Sequence, residues 1–124
     1  MSERYKDIPM VVGNDLRNEV RTDTHNFLVP EWGSGNFNTD WHWAATRAGN
    51  SILNVAPNQL IIVEAVNSGF ILSGIKSKTV VLDKPNKLVW SFHYYRFDQD
   101  IIVARKDTYE HMRDDLDRNM AFCL

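Results

Sequence analysis

Apolar positions in this chain gather in short runs separated by longer amphipathic or polar stretches. Pro9-Met10-Val11-Val12-Gly13, Leu60-Ile61-Ile62-Val63-Glu64 and Leu88-Val89-Trp90-Ser91-Phe92-His93-Tyr94 are apolar with little alternation. Strands buried on both faces read this way. Each run is entered through a proline, at Pro9, Pro57 and Pro85. The β-branched stretch at 79–82 reads as a fourth, shorter strand. Between the first two runs, Trp41, Ala45, Ala48, Ile52 and Val55 recur at spacings of 4, 3, 4 and 3, which predicts one helical face over 40–55. Thr39 or Asp40 is placed to cap its first free N–H groups. Pro57 ends it near Ala56, because a residue before proline avoids the α region. A second helix is predicted over 106–122, with Tyr109, Met112, Leu116 and Met120 on its apolar side. Apolar strands alternating with helices imply an α/β fold built on a parallel sheet.

Composition narrows the function classes. The chain has 124 residues and a formal charge of −2, which suits one domain. That near-neutral balance argues against a nucleic-acid partner, which calls for a basic face. No apolar stretch has the length of a membrane span. The charged start, Met1-Ser2-Glu3-Arg4-Tyr5-Lys6-Asp7, is unlike a signal peptide. The single Cys123 excludes an internal disulfide and a multi-cysteine metal site. His25, His42 and His111 share no ligand spacing with one another or with carboxylates, so no metal and no other cofactor is expected.

Parallel α/β folds place their ligand sites at the C-terminal ends of the strands. Three polar groups fall there: the stretch Asn14-Asp15-Leu16-Arg17-Asn18-Glu19-Val20-Arg21, Glu64, and His93-Tyr94-Tyr95. Together they offer an acid, an amide, an imidazole and hydroxyls, a set suited to a polyol such as a sugar. Trp32, Trp41, Trp43, Tyr94 and Tyr95 are candidate stacking surfaces, although Trp41 also lies on the apolar stripe of the predicted helix. Plainer roles exist for the same residues. A Glu after a strand also serves as a cap or salt-bridge partner, and His93 on an apolar strand also serves as a hydrogen-bonded core histidine.

The stretch Val11-Val12-Gly13-Asn14-Asp15-Leu16-Arg17-Asn18-Glu19 resembles the fourth-strand motif of glycoside hydrolase family 5, the clan A cellulases. The resemblance continues through Trp32-Gly33-Ser34-Gly35-Asn36, Thr39-Asp40-Trp41, Asn58-Gln59-Leu60-Ile61-Ile62-Val63-Glu64 and Pro85-Asn86-Lys87-Leu88-Val89-Trp90-Ser91 to His93-x-Tyr95. It implies a partial TIM (β/α)8 barrel, roughly half, with parallel strands alternating with helices as fourth to sixth units. Residues 1–124 then form a single partial catalytic domain. It implies an endo-β-1,4-glucanase-like glycosidase with a retaining mechanism, acting on β-glucan or another β-linked oligosaccharide. By position Glu19 resembles the acid/base and Asn18 the residue that bonds the sugar 2-hydroxyl. His93 and Tyr95 resemble substrate-binding residues, and Trp32 a stacking platform. Glu64 matches a family position without a catalytic assignment.

Two departures shape the expectation. Val20 stands where the family most often has Pro. No segment like the family's Gly-Glu-(Phe/Tyr)-Gly, which carries the nucleophile, occurs before Leu124. A TIM barrel takes about 250 residues, so this chain is expected to be a piece of one, ending near Cys123, inactive alone and self-associating through its open edges. The alternative is a non-catalytic remnant or weak carbohydrate-binding protein. The family resemblance also implies an extracellular parent protein.

Overall fold

The computed structural model describes residues 1–93 and 109–119. Three strands, β1 (Gly13–Asp15), β2 (Leu60–Glu64) and β3 (Leu88–Ser91), form one sheet in the order β1-β2-β3. Both pairings are parallel: Gly13, Asn14 and Asp15 face Leu60, Ile61 and Ile62, and Val63 and Glu64 face Trp90 and Ser91. Among the described residues the helices are α1 (Ser2–Tyr5), α2 (Trp41–Val55) and α3 (Tyr109–Asn119), with a 3-10 turn at Ser73–Lys76.

The parallel α/β expectation holds, but β1 is displaced along the chain. The run from Pro9 was expected to be a strand buried on both faces, yet Met10 and Val12 are 87% and 68% exposed. Pairing begins only where the Val12 carbonyl accepts the Leu60 N–H at 2.9 Å. Earlier residues have no ladder to join, since β2 itself starts at Leu60 after the Pro57 turn.

Helix α2 starts where Asp40 caps it, accepting from the Trp43 N–H at 3.2 Å. Its buried stripe is His42, Ala45, Gly49 and Leu53, one residue out of phase with the predicted face over much of its length, and Val55 is exposed. The phase follows from Gly49. A Cβ there would lie 2.8 Å from the Leu82 Cδ2 and 3.1 Å from the Ile61 Cγ2. Only glycine lets the helix press so closely onto β2. Ala45, Leu53, Ile61, Val63 and Val80 form the core between helix and sheet. The opposite sheet face carries Leu60, Ile62 and Val89, which stay partly exposed among the described residues.

The fourth strand expected at 79–82 is absent. That segment is irregular, and side chains of α2 hold it in place of a ladder. The His42 Nε2 bonds the Thr79 carbonyl at 2.8 Å, and the Asn50 Nδ2 donates to the Val81 carbonyl at 3.0 Å. The Asp83 N–H in turn donates to the Asn50 Oδ1 at 2.8 Å. The second predicted helix is present as α3, whose Leu116 packs against Ala65 and Leu72. The remainder of that prediction falls outside the described residues, as do Tyr94, Tyr95 and Cys123.

Candidate active site

Three adjacent strands end close together and each delivers one titratable group. Glu19 lies four residues beyond β1, Glu64 is the last residue of β2, and His93 lies two beyond β3. The His93 Nδ1 sits 3.0 Å from the Glu19 Oε1, and its Nε2 sits 3.1 Å from the Glu64 Oε1. A histidine donates through both ring nitrogens only as the imidazolium. The hydrogen bond to Glu19 raises the His93 pKa above 6.5, burial opposes it, and the charges of Glu64, Glu19 and Asp15 add to the rise.

A group whose pKa is raised on folding stabilises the fold fully below its unfolded-state value and loses that contribution as pH rises through its folded value. Unfolding by urea is therefore expected to become easier as pH rises beyond 6.5. His93→Gln should remove that step; an unchanged pH profile in His93→Gln would show that the bridge adds nothing to stability.

The backbone around Glu19 is held as firmly as its side chain. Glu19 adopts a φ of +48°, uncommon for a residue with a side chain, and its N–H donates to the Glu64 Oε2 at 2.8 Å. The next carbonyl, of Val20, accepts the Ser68 N–H at 2.9 Å. Ser68 belongs to a turn in which Asn67, Ser68 and Gly69 all have positive φ, of 56°, 58° and 79°. Consecutive left-handed residues are costly, and this turn also holds β3's end, since the Gly69 carbonyl accepts the His93 N–H at 3.0 Å. The Trp41 indole donates to the Glu64 carbonyl at 2.7 Å, which fixes the start of α2 to the same place.

The second Glu19 oxygen, Oε2, accepts from Arg21 at 2.7 Å. Arg21 is 65% exposed, so this bond is easily exchanged for water or substrate. Both Glu19 oxygens thus carry donors. Of the two, Arg21 is the more exposed and the more readily released partner. A cleft of about 380 Å³, lined by Arg17, Arg21, Asp23, Phe37 and Trp41 among others, lies on Arg21's side. Neither Glu19, Glu64 nor His93 lines it, so the side-chain cluster lies outside that cleft.

Of the residues singled out by sequence, the structure joins Glu19 and His93 and leaves Asn18 exposed beside Glu19. Tyr95 lies outside the described residues. Trp32 packs in the helix layer, edge-on to His42 at 5.5 Å and 5.7 Å from Trp90, with its Nε1 donating to the Lys78 carbonyl. Asn14, from the same polar stretch as Glu19, turns the other way and donates to the Gln59 Oε1 at 2.7 Å. Sequence reasoning noted Glu64 without giving it a catalytic role, gave Arg21 no role of its own, and passed over the 67–69 turn. Glu64 had a signal: a carboxylate closing an otherwise apolar β2 has to be buried with partners or end the strand in solvent. Among the described residues no group of three or more His, Cys, Asp or Glu is placed to hold a metal ion.

Parallel strands that bring two carboxylates and an imidazole together at their C-terminal ends place this chain among α/β proteins whose sites are built at that end of the sheet. The model of the cellulase family, glycosyl hydrolase family 5, matches residues 1–121, and the chain belongs to that family. It is 43% identical over 106 residues to an endoglucanase of Paenibacillus polymyxa, covering 77% of this chain and 25% of that protein. It is 41% identical over 73 residues to the major extracellular endoglucanase of Xanthomonas campestris pv. campestris, covering 59% of this chain and 14% of that one. The solved catalytic domain of the major Xanthomonas campestris endoglucanase superposes with a TM-score of 0.80 at 27% identity, over 96% of this chain and 36% of that domain's chain. A Pyrococcus horikoshii endocellulase in complex with cellotetraose gives a TM-score of 0.83 at 29% identity, over 98% of this chain and 39% of that one. The chain spans about a quarter or less of the curated relatives named here and under two-fifths of these solved structures.

Proposed function

We propose that this chain is the acid/base-bearing part of a retaining endo-β-1,4-glucanase whose complete form closes as a TIM barrel. The observation that carries the reading is the Glu19–His93–Glu64 cluster at the ends of three adjacent parallel strands. Glu19 donates a proton to the leaving glycosidic oxygen and later deprotonates the incoming water. The nucleophilic carboxylate, about 5–5.5 Å away in a retaining site, comes from outside these 124 residues. Sugar contacts are assigned to Asn18, His93, Tyr95 and Trp32. For His93 the support is its bond to Glu19. For Asn18 it is its exposed place next to Glu19, and for Trp32 a partly exposed ring. The substrate is a β-glucan, handled outside the cell. The half-covered sheet face with Leu60, Ile62 and Val89 makes self-association of the isolated chain part of the same reading.

The test is a segment exchange. The 124-residue chain alone should release no aryl alcohol from an aryl β-cellobioside, because one carboxylate cannot complete a double displacement. Placed in the Paenibacillus polymyxa endoglucanase in exchange for the matching segment, it should support cleavage of cellotetraose. A folded exchange enzyme without hydrolysis, or turnover by the chain alone, sinks the reading.

A further inference from the structure

Glu64 is 1% exposed, and an ionised carboxylate so deeply buried is costly unless it is fully paired. Its pairing is specific. The Oε2 accepts the Glu19 N–H at 2.8 Å, and the Oε1 lies 3.1 Å from the His93 Nε2. One carboxylate therefore grips the backbone of Glu19 and the ring that bonds Glu19's own side chain. The turn at 67–69 closes over it: a Cβ on Gly69 would stand 2.8 Å from the Glu64 Oε2 and 3.5 Å from the His93 Cγ. Glycine at this place, with its φ of +79°, leaves the carboxylate just enough room to reach both partners.

We propose that Glu64 is a positioning residue for Glu19, setting the direction of its carboxylate through its backbone N–H on one side and through the His93 ring on the other. The inference rests on the reading of Glu19 as the acid/base. Glu64 itself does not touch the sugar. Its two bonds remove two freedoms of Glu19: the backbone rotation that a left-handed residue would otherwise relax, and the side-chain swing that a loose His93 would permit. A site held this way keeps the proton donor in line without help from substrate, and a displacement of about 1 Å costs on the order of 100-fold in rate.

The chain itself provides the test, by nuclear magnetic resonance on 15N-labelled protein. In Glu64→Gln, the amide oxygen can still accept the Glu19 N–H, but the NH2 group faces the His93 Nε2. His93 should then become a neutral ring with its proton on Nδ1, still donating to Glu19. The expected result is a lower His93 titration midpoint, a switch of the 15N ring shifts to the Nδ1–H tautomer, and an upfield move of the Glu19 amide resonance. A folded Glu64→Gln chain with His93 midpoint, tautomer and Glu19 amide all unmoved overturns the proposal. Should that variant not fold, the unaltered chain decides. The Glu19 amide and the His93 ring should shift together at one midpoint, and independent titrations overturn the link. Neither measurement involves hydrolysis, so a positive result beside an active Glu19→Gln enzyme would refute the acid/base reading and leave the positioning geometry standing.

Discussion

Glu19→Gln in the exchanged endoglucanase should lower kcat on cellotetraose by about 10²–10⁴-fold, the usual weight of a positioned proton donor. Gln keeps the shape of Glu19, its amide oxygen can still accept from His93, and only the exposed Arg21 pair is given up, so the fold and KM should change little. It has no proton to give to a poor leaving group such as a glucosyl oxygen. The discriminating arm is the leaving group. Dinitrophenolate leaves a dinitrophenyl β-cellobioside without protonation, so that bond cleavage should be nearly spared, while the later attack of water loses its base. An intermediate should therefore accumulate and show as a burst. Equal losses on both substrates would mean that Glu19 acts through structure rather than by proton transfer.

Asp40→Ala should destabilise the chain by about 3 kcal/mol, from a lost helix cap together with two N–H groups left without their acceptor. Asp40 is 3% exposed and accepts from Gly33 at 2.9 Å, Gly35 at 2.7 Å and Trp43 at 3.2 Å. It is thus both the cap of α2 and the clasp of the 33–35 loop. Burial pushes its pKa up, but the N–H groups of Gly35, Trp43 and Gly33, with the charge of His42, outweigh it and leave the carboxyl below 3.8. A lowered pKa contributes stability above the unfolded-state value, and that contribution is lost as pH falls through the folded value. Thermal unfolding near neutral pH should therefore show Asp40→Ala melting about 10 °C or more lower. The gap should narrow once the pH drops below 3.8. A constant gap down to strong acid would mean that the charge of Asp40 is not what matters.

What could be read from the sequence depended on whether a signal was local. The cap at Asp40 and the stop at Pro57 were legible because they are set by neighbours within a turn of helix. The parallel arrangement was legible because apolar runs separated by an amphipathic helix have few other ways to bury themselves. The phase of α2 was not, since Ala48 and Gly49 look equally small in sequence and only the approach of Ile61 and Leu82 selects Gly49. The stretch at 79–82 has strand composition, but its carbonyls are claimed by His42 and Asn50. Glu19 and His93 were picked out by their places after strand-like runs, and the motif resemblance supplied their roles. Glu64 was set aside because a carboxylate after a strand is common, and its double grip depends on partners 45 and 29 positions away along the chain.

Those separations bear on the order in which the molecule assembles. The Glu19–Glu64 bond closes a loop of 45 residues and the Glu19–His93 bond one of 74, whereas α2 and β2 are near neighbours in sequence. Extending a closed loop from the first length to the second adds only about 0.4 kcal/mol of chain entropy. The larger demand is that three strand ends must already be in register. Helix α2 with β2 and β3 can therefore form early, while the left-handed backbone at Glu19 sets only when β1 docks. The cluster is then expected to be the last part to close on folding and the first to breathe open, and faster amide exchange at Glu19 than in the helix–sheet core would show it.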